Sequence, residues 1–256
     1  MKIVVIGGTG LIGSQTVARL EAAGHDVLAA SPASGVDSVT GAGVAEALAG
    51  ASVLVDVSNS PSFADDDVLA FFDASTRNLL AAAKEAGIAN YVALSVVGTR
   101  ELGGSGYFRA KIRQEELIEA SGVPFSIVHA TQFFEFAGQL AAGSTVDGEV
   151  RLTDARVQPI ASPDVADAMV RAALGGPTGR TIEIGGPQDM TLEAWITQAL
   201  ASVDDPRPVV VDPAIGYFGA QIDTWTLVPG DGEDRGQAQL GETTLEAWLA
   251  GNTVRV

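Results

Sequence analysis

The sequence has no cysteine, which excludes a disulfide framework, a thiol nucleophile and a zinc–thiolate site, although it decides nothing about compartment. Basic residues are scarce: 15 Lys and Arg stand against 32 Asp and Glu, a formal charge of -17. That balance opposes phosphate backbones and anionic lipid surfaces, so nucleic acid and membranes are not expected partners. Long apolar runs are also missing. The opening "MKIVVIGGTG" turns to glycine after a short apolar run, far below the roughly 20 residues of a membrane span and without the h-region and cleavage site of a signal peptide. The expected location is the cytoplasm.

What is present is a 256-residue chain, 46% hydrophobic and 18% charged, enough for one large α/β domain with a small appended lobe. Short Val- and Ile-rich runs alternate with alanine-rich segments of helical spacing: "KIVVIG", "LIGSQTVARLEAAG", "HDVLAA", "ASVLVDVS", "DDDVLAFFDASTRNLLAAAKEAG", "YVALSVV", a helix from Tyr107 to about Ser121, and "PFSIVHA". This order predicts a doubly wound parallel sheet, a Rossmann fold, with ligands above the carboxyl ends of its strands. Beyond Phe133 the pattern loosens. "GEVRL" and "RVQPIA" read as short strands around a turn, "SPDVADAMVRAAL" as a helix capped by Ser162 or Asp164, and "TIEIGG" as a strand. The expected division is 1–133 as the dinucleotide-binding core and 134–256 as a mixed region that completes the sheet edge and covers the substrate cleft. The boundary is soft.

The stretch "VVIGGTGLIGSQTVARL" joins the first strand to the first helix and satisfies both G-x-x-G-x-x-G (Gly7, Gly10, Gly13) and G-x-G-x-x-G (Gly8, Gly10, Gly13). Glycines there permit a tight turn and close approach of the backbone to a pyrophosphate, Gly13 lets the helix pack closely, and the N–H groups of Leu11 and Ile12 face the anion. The implied cofactor is a nicotinamide dinucleotide. Neither an acid nor a base ends the second strand, where "SPASG" offers Ser31 and Ser34 to the ribose. With no acid to repel a 2′-phosphate, the reading leans to NADP over NAD.

Ser95 ends the strand "YVALSVV", and Tyr107 and Lys111 begin the following helix, four residues apart and so on one face. In a redox enzyme the tyrosine protonates a substrate carbonyl as hydride arrives, the lysine lowers the phenol's pKa and holds the ribose, and Ser95 hydrogen-bonds the same oxygen. Gly103, Gly104 and Gly106 supply a flexible approach. The alternative is an ordinary helix start.

These residues resemble an atypical short-chain dehydrogenase/reductase of the NmrA-like NAD(P)H-binding type. The resemblance runs through "GGTGLIG", "VDVSNSPSF", "VALSVVGT", "GYFRAK" and "PFSIVHATQFFEF", and more weakly through "QPIASPDVADAM" and "IEIGGP". It implies a pyrophosphate loop at Gly7, Gly10 and Gly13, and Ser58 and Asn59, after the fourth strand, near the ribose and nicotinamide. It also implies a Ser95, Tyr107, Lys111 triad, which many relatives lose when they serve as redox sensors. Two positions depart from it: Pro32 stands just after the second strand where relatives commonly carry arginine, which puts the NADP preference in doubt, and His129 stands at the end of the sixth strand where they carry another, which bears on the pocket floor.

Gln132 and Phe133 are candidate substrate-pocket residues, with Phe134 and Phe136 beside them. "ADDDV" and "DGEDRG" read as solvated acidic runs rather than metal ligands, and no metal is expected. His129 reads as a satisfied core residue, and Trp195, Trp225 and Trp248 as packing residues. The function expected is reduction of a small apolar carbonyl or quinone by NAD(P)H. A non-catalytic redox sensor acting through a protein partner is the alternative, and a sugar-nucleotide epimerase or dehydratase ranks last because the tail is short and acidic. A small-molecule substrate is the expected partner, and assembly as a homodimer is left open.

Overall fold

A computed structural model of the chain describes residues 1–230 and 238–255; the acidic run Asp231 to Gly236 lies outside them. The first half alternates as expected: β1 (Lys2–Ile6), α1 (Leu11–Ala22), β2 (Asp26–Ala30), α2 (Val44–Leu48), β3 (Val53–Asp56), α3 (Asp65–Ala86), β4 (Asn90–Val96), α4 (Gly106–Ala120) and β5 (Phe125–Ala130). Then come α5 (Ala137–Gly143), β6 (Thr145–Val146), β7 (Glu149–Leu152), β8 (Arg156–Val157), α6 (Ser162–Leu174), β9 (Thr181–Gly185), β10 (Met190–Thr191), α7 (Leu192–Ala201), β11 (Val209–Val211), β12 (Gln239–Leu240) and α8 (Leu245–Gly251).

The central sheet is seven-stranded, in the order β12-β9-β5-β4-β3-β1-β2. β1 pairs in parallel with both β2 and β3, and β3 with β4. Burial on two faces explains why β1 reads as an unbroken apolar run: Val4 and Ile6 join one core cluster with Leu54, Leu79, Tyr91 and Ile127, while Ile3 and Val5, pointing the other way, are equally buried. This is the expected Rossmann-like α/β arrangement. The segment between β2 and β3 forms the short helix α2 and no strand, so Ser58 follows the third strand and His129 lies on the fifth, not the fourth and sixth.

The chain divides into two compact units: residues 1–95, 106–129 and 165–182 form one, and 96–105, 130–164 and 183–256 the other. A single cut at residue 133 does not produce this division. In the first unit, α3 starts on three aspartates, which complement its dipole, and ends at Gly87 with φ +68°. Asp65 also pairs with Arg109 at 2.6 Å, and a Cβ at buried Gly106 would lie 1.9 Å from Asp65 Oδ1. The Asp65 side chain is itself 64% exposed and can turn aside, so packing does not hold this first residue of α4 to glycine.

In the second unit β7 and β8 are not partners of each other. β7 lies between β6 and β11, and β8 pairs with β10. Ser162 is the first residue of α6 and its hydroxyl donates to Glu135, while the Asp164 carboxylate accepts from the Thr243 N–H. Trp195 is fully buried and Trp248 packs on Phe134 with centroids 5.7 Å apart, but Trp225 is 38% exposed beneath the Arg156 guanidinium. Among the described residues no helix is long and apolar enough to cross a membrane.

Candidate cofactor and proton-transfer site

The strand order reverses at β1, between β2 and β3, and such switch points are where parallel sheets leave a crevice for ligands. Two loops meet there. Gly7 has φ +76°, and a Cβ on it would lie 2.9 Å from the Ser58 backbone nitrogen. Its N–H and that of Gly8 donate to Ala30 O at 3.0 and 3.2 Å, tying the loop to β2. A Cβ at Gly8 would come within 2.7 Å of Ala29 Cα, and one at Gly13 within 2.1 Å of Gly7 O. At Gly10 the same atom meets only Gly7 O, at 3.3 Å. Gly7, Gly8 and Gly13 therefore answer to packing, and Gly10 keeps the outer side of the loop open at the N-cap of α1. The N–H groups of Leu11, Ile12 and Gly13 have no carbonyl within their own helix to accept them. Glycine-lined space beside free N–H groups at a helix N-terminus fits a pyrophosphate.

The serines near this loop differ. Ser34 Oγ is used inside the turn Pro32–Ser34: it accepts from Ser31 N–H and donates to Ser31 O, both at 2.9 Å. Ser31 is buried and forms a capping box with Ser34 on the same turn. Ser58 donates its hydroxyl to Asp56 Oδ1 at 2.6 Å, and exposed Asn59 accepts from Ser60 N–H at 3.0 Å. Asp56, buried at the end of β3, also accepts from Tyr91 Oη at 3.0 Å and Gln114 Nε2 at 3.1 Å.

Ser95, Tyr107 and Lys111 are not joined as a hydrogen-bonded triad. Ser95 donates to Glu115 Oε1 at 2.5 Å, and His129 Nε2 approaches the same oxygen at 2.9 Å. Lys111 is buried. Its ammonium donates to Leu94 O at 2.8 Å and to Gln114 Oε1, and lies 4.5 Å from the centroid of the Phe72 ring. Burial lowers its pKa from 10.5 to about 8, against the opposing charges of Asp56 and Glu115. Tyr107 packs on Phe63, Phe72 and Phe108, with centroids 5.8, 6.1 and 5.4 Å away. Burial pushes its phenol up to about 12. The expectation that Lys111 lowers this pKa is overturned: the charge is spent on Leu94 O and Gln114, and desolvation governs the phenol. Burial works against the Glu115 carboxylate, yet bonds from His129 and Ser95 and the charge of Lys111 hold its pKa below 4.5.

A family profile described as NAD(P)H-binding matches residues 7–174. The chain belongs to that NAD(P)H-binding family. No curated protein matches the sequence. Among solved structures it is similar to the Bordetella bronchiseptica enzyme WbmH in complex with NAD+ (17% identity, 97% of this chain and 96% of that one, TM-score 0.69). It is also similar to a double mutant of DesIV, a dTDP-glucose 4,6-dehydratase from Streptomyces venezuelae (16%, 98% and 95%, 0.70). A third is a short-chain dehydrogenase/reductase superfamily protein from Agrobacterium tumefaciens with bound NAD (18%, 83% and 85%, 0.64). At these identities the likeness is one of fold.

In this NAD(P)H-binding protein the residues that sequence reasoning missed are Asp56, Gln114 and Glu115. Asp56 left a faint signal, an acid closing the otherwise apolar strand "VLVD"; Gln114 and Glu115 sit in a run that reads as a solvated helix face. In the second unit, Gln132 gives its carbonyl to Ile160 N–H at 2.9 Å, while its Oε1 is buried without a partner. Phe133 packs on Phe136 at 5.6 Å.

Proposed function

We propose that the chain is an NAD(P)H-dependent oxidoreductase that reduces a small apolar carbonyl or quinone, with Tyr107 as proton donor. The observation that carries the reading is the meeting of Gly7 and Ser58 at the switch point, beside the free first-turn N–H groups of α1. Gly10, Leu11, Ile12 and Gly13 hold the pyrophosphate, and Ser31 holds the adenosine ribose. The absence of an acid at the end of β2 leans the preference to NADPH, although Pro32 occupies the place of the arginine seen in relatives. A bound nicotinamide supplies hydride. Tyr107, kept neutral by burial up to about pH 12, gives its proton to the carbonyl oxygen, which favours reduction because oxidation would need the phenolate. Ser95, fixed by Glu115, orients the carbonyl, and Lys111 anchors the start of α4 by its charge.

The test is a fluorescence titration with NADPH and NADH, followed by turnover on a carbonyl and quinone panel. Tyr107→Phe is expected to bind nucleotide like the parent and to turn over about a hundredfold more slowly or worse. Equal turnover would remove Tyr107 from the reaction. A second reading, an NAD(P)H-binding sensor, draws support from the internal occupation of Ser95 by Glu115 and of Lys111 by Leu94 and Gln114. Saturable binding without turnover on any substrate is its mark.

A further inference from the structure

The second unit contains a cavity of about 240 Å³, with Leu152, Leu192, Ile215, Tyr217 and Phe218 among its walls and Arg151 beside them. A dry cavity of about 150 Å³ holds a benzene molecule, so this one has room for a single ring with a short polar head. Two features are poorly explained by packing alone. The Nε of Arg151 is buried with no hydrogen-bond partner, although a buried N–H without an acceptor is costly. The guanidinium's contact with Glu149 is one Nη2 bond of 3.2 Å, long beside the usual 2.7–2.9 Å of charge-assisted bonds.

The second feature is the turn that supplies the aromatic wall. Tyr217 N–H donates to Ala220 O at 2.8 Å, and Ala220 N–H returns the bond to Tyr217 O at 3.0 Å. The two residues between have left-handed backbone, Phe218 at φ +47° and Gly219 at φ +85°. Glycine suits that conformation, but a bulky aromatic does not. The Phe218 ring is 59% exposed, so core packing does not hold it there. Strain of this kind persists where a side chain is needed in one place.

We propose that this cavity is a binding site for a small aromatic or similarly sized apolar carboxylate, its ring against Tyr217 and Phe218 and its head group on Arg151. A carboxylate presents two acceptors to the guanidinium fork, which suits an open Nε–H. The site lies within the second unit and does not rest on the cofactor reading.

The experiment is calorimetric titration with benzoate and with its neutral analogue benzyl alcohol, without nucleotide and again with NADPH. Benzoate is expected to saturate, at least about tenfold tighter than benzyl alcohol. Arg151→Met should abolish that preference and Arg151→Lys retain part of it, while Glu149→Gln should tighten benzoate by removing a competing carboxylate. Phe218→Gly, which relieves the turn, should weaken benzoate yet leave the thermal midpoint equal or higher. Equal affinity for benzoate and benzyl alcohol would overturn the anion assignment. No saturation by about 10 mM benzoate, or unchanged benzoate binding by Arg151→Met, would overturn the site. Should Arg151→Met fail to fold, the benzoate to benzyl alcohol ratio of the parent and the Glu149→Gln titration decide. Loss of NADPH binding leaves every arm of this test standing.

Discussion

Gly13 is the least replaceable residue of the nucleotide loop, because its missing Cβ would stand 2.1 Å from the carbonyl oxygen of Gly7. Gly13→Ala must push α1 away from the loop, so NAD(P)H affinity should fall more than about tenfold and the thermal midpoint should drop. Gly143→Ala is the matched control: it ends α5 with nothing within 4 Å of the new atom, and it should stabilise by about 0.5 kcal/mol in urea unfolding. Glu115 gives a different signature. Its folded pKa lies below 4.5, so near that pH the unfolded chain binds more protons than the folded one. Its contribution to stability is therefore complete above the unfolded value and lost as pH falls through the folded one. Urea midpoints taken from about pH 6 to 3 should fall less steeply for Glu115→Gln than for the parent; parallel curves would mean that Glu115 does not carry the acid sensitivity.

At the scale of elements, α4 concentrates what is unusual. Lys111, Gln114, Glu115 and Ile118 share its buried face, so a polar stripe is covered where an amphipathic helix would show Leu or Ile. Lys111 bears the cost, since desolvation takes its pKa from 10.5 to about 8. Between those values the unfolded state holds the extra proton, so stability rises with pH across that window. The parent should gain on Lys111→Met from pH 8 to 10.5 in urea unfolding; a constant gap would place the ammonium in solvent. This helix also marks the limit of legibility. The parallel sheet, the glycine loop and α4 itself were readable because "KIVVI", "GGTGLIG" and the alternation of runs are local patterns. The partners of α4 were not: Asp56 meets Gln114 across 58 positions, and "KIRQEEL" looks like a face made for water. Trp225 was misjudged for a related reason, since apolar neighbours in sequence do not decide which side of a loop meets solvent.

At the scale of the molecule, the formal charge of -17 makes the folded state repel itself more than the expanded chain does. Salt shortens that repulsion, with a screening length near 10 Å at about 0.1 M. The thermal midpoint should therefore rise from low to moderate sodium chloride, and a midpoint that falls would mean that attractive ion pairs such as Arg109–Asp65 outweigh the net charge. The threading of the chain through its two units reaches past equilibrium. The first unit is complete only with residues 165–182, and the β5 edge, next to β9 in the finished sheet, stays open until those residues leave the ribosome. At roughly 5–20 residues per second a nascent chain spends seconds with an unpaired apolar strand in view of its neighbours on a polysome. Crowded translation is thus a moment at which this chain is open to aggregation before its sheet is complete.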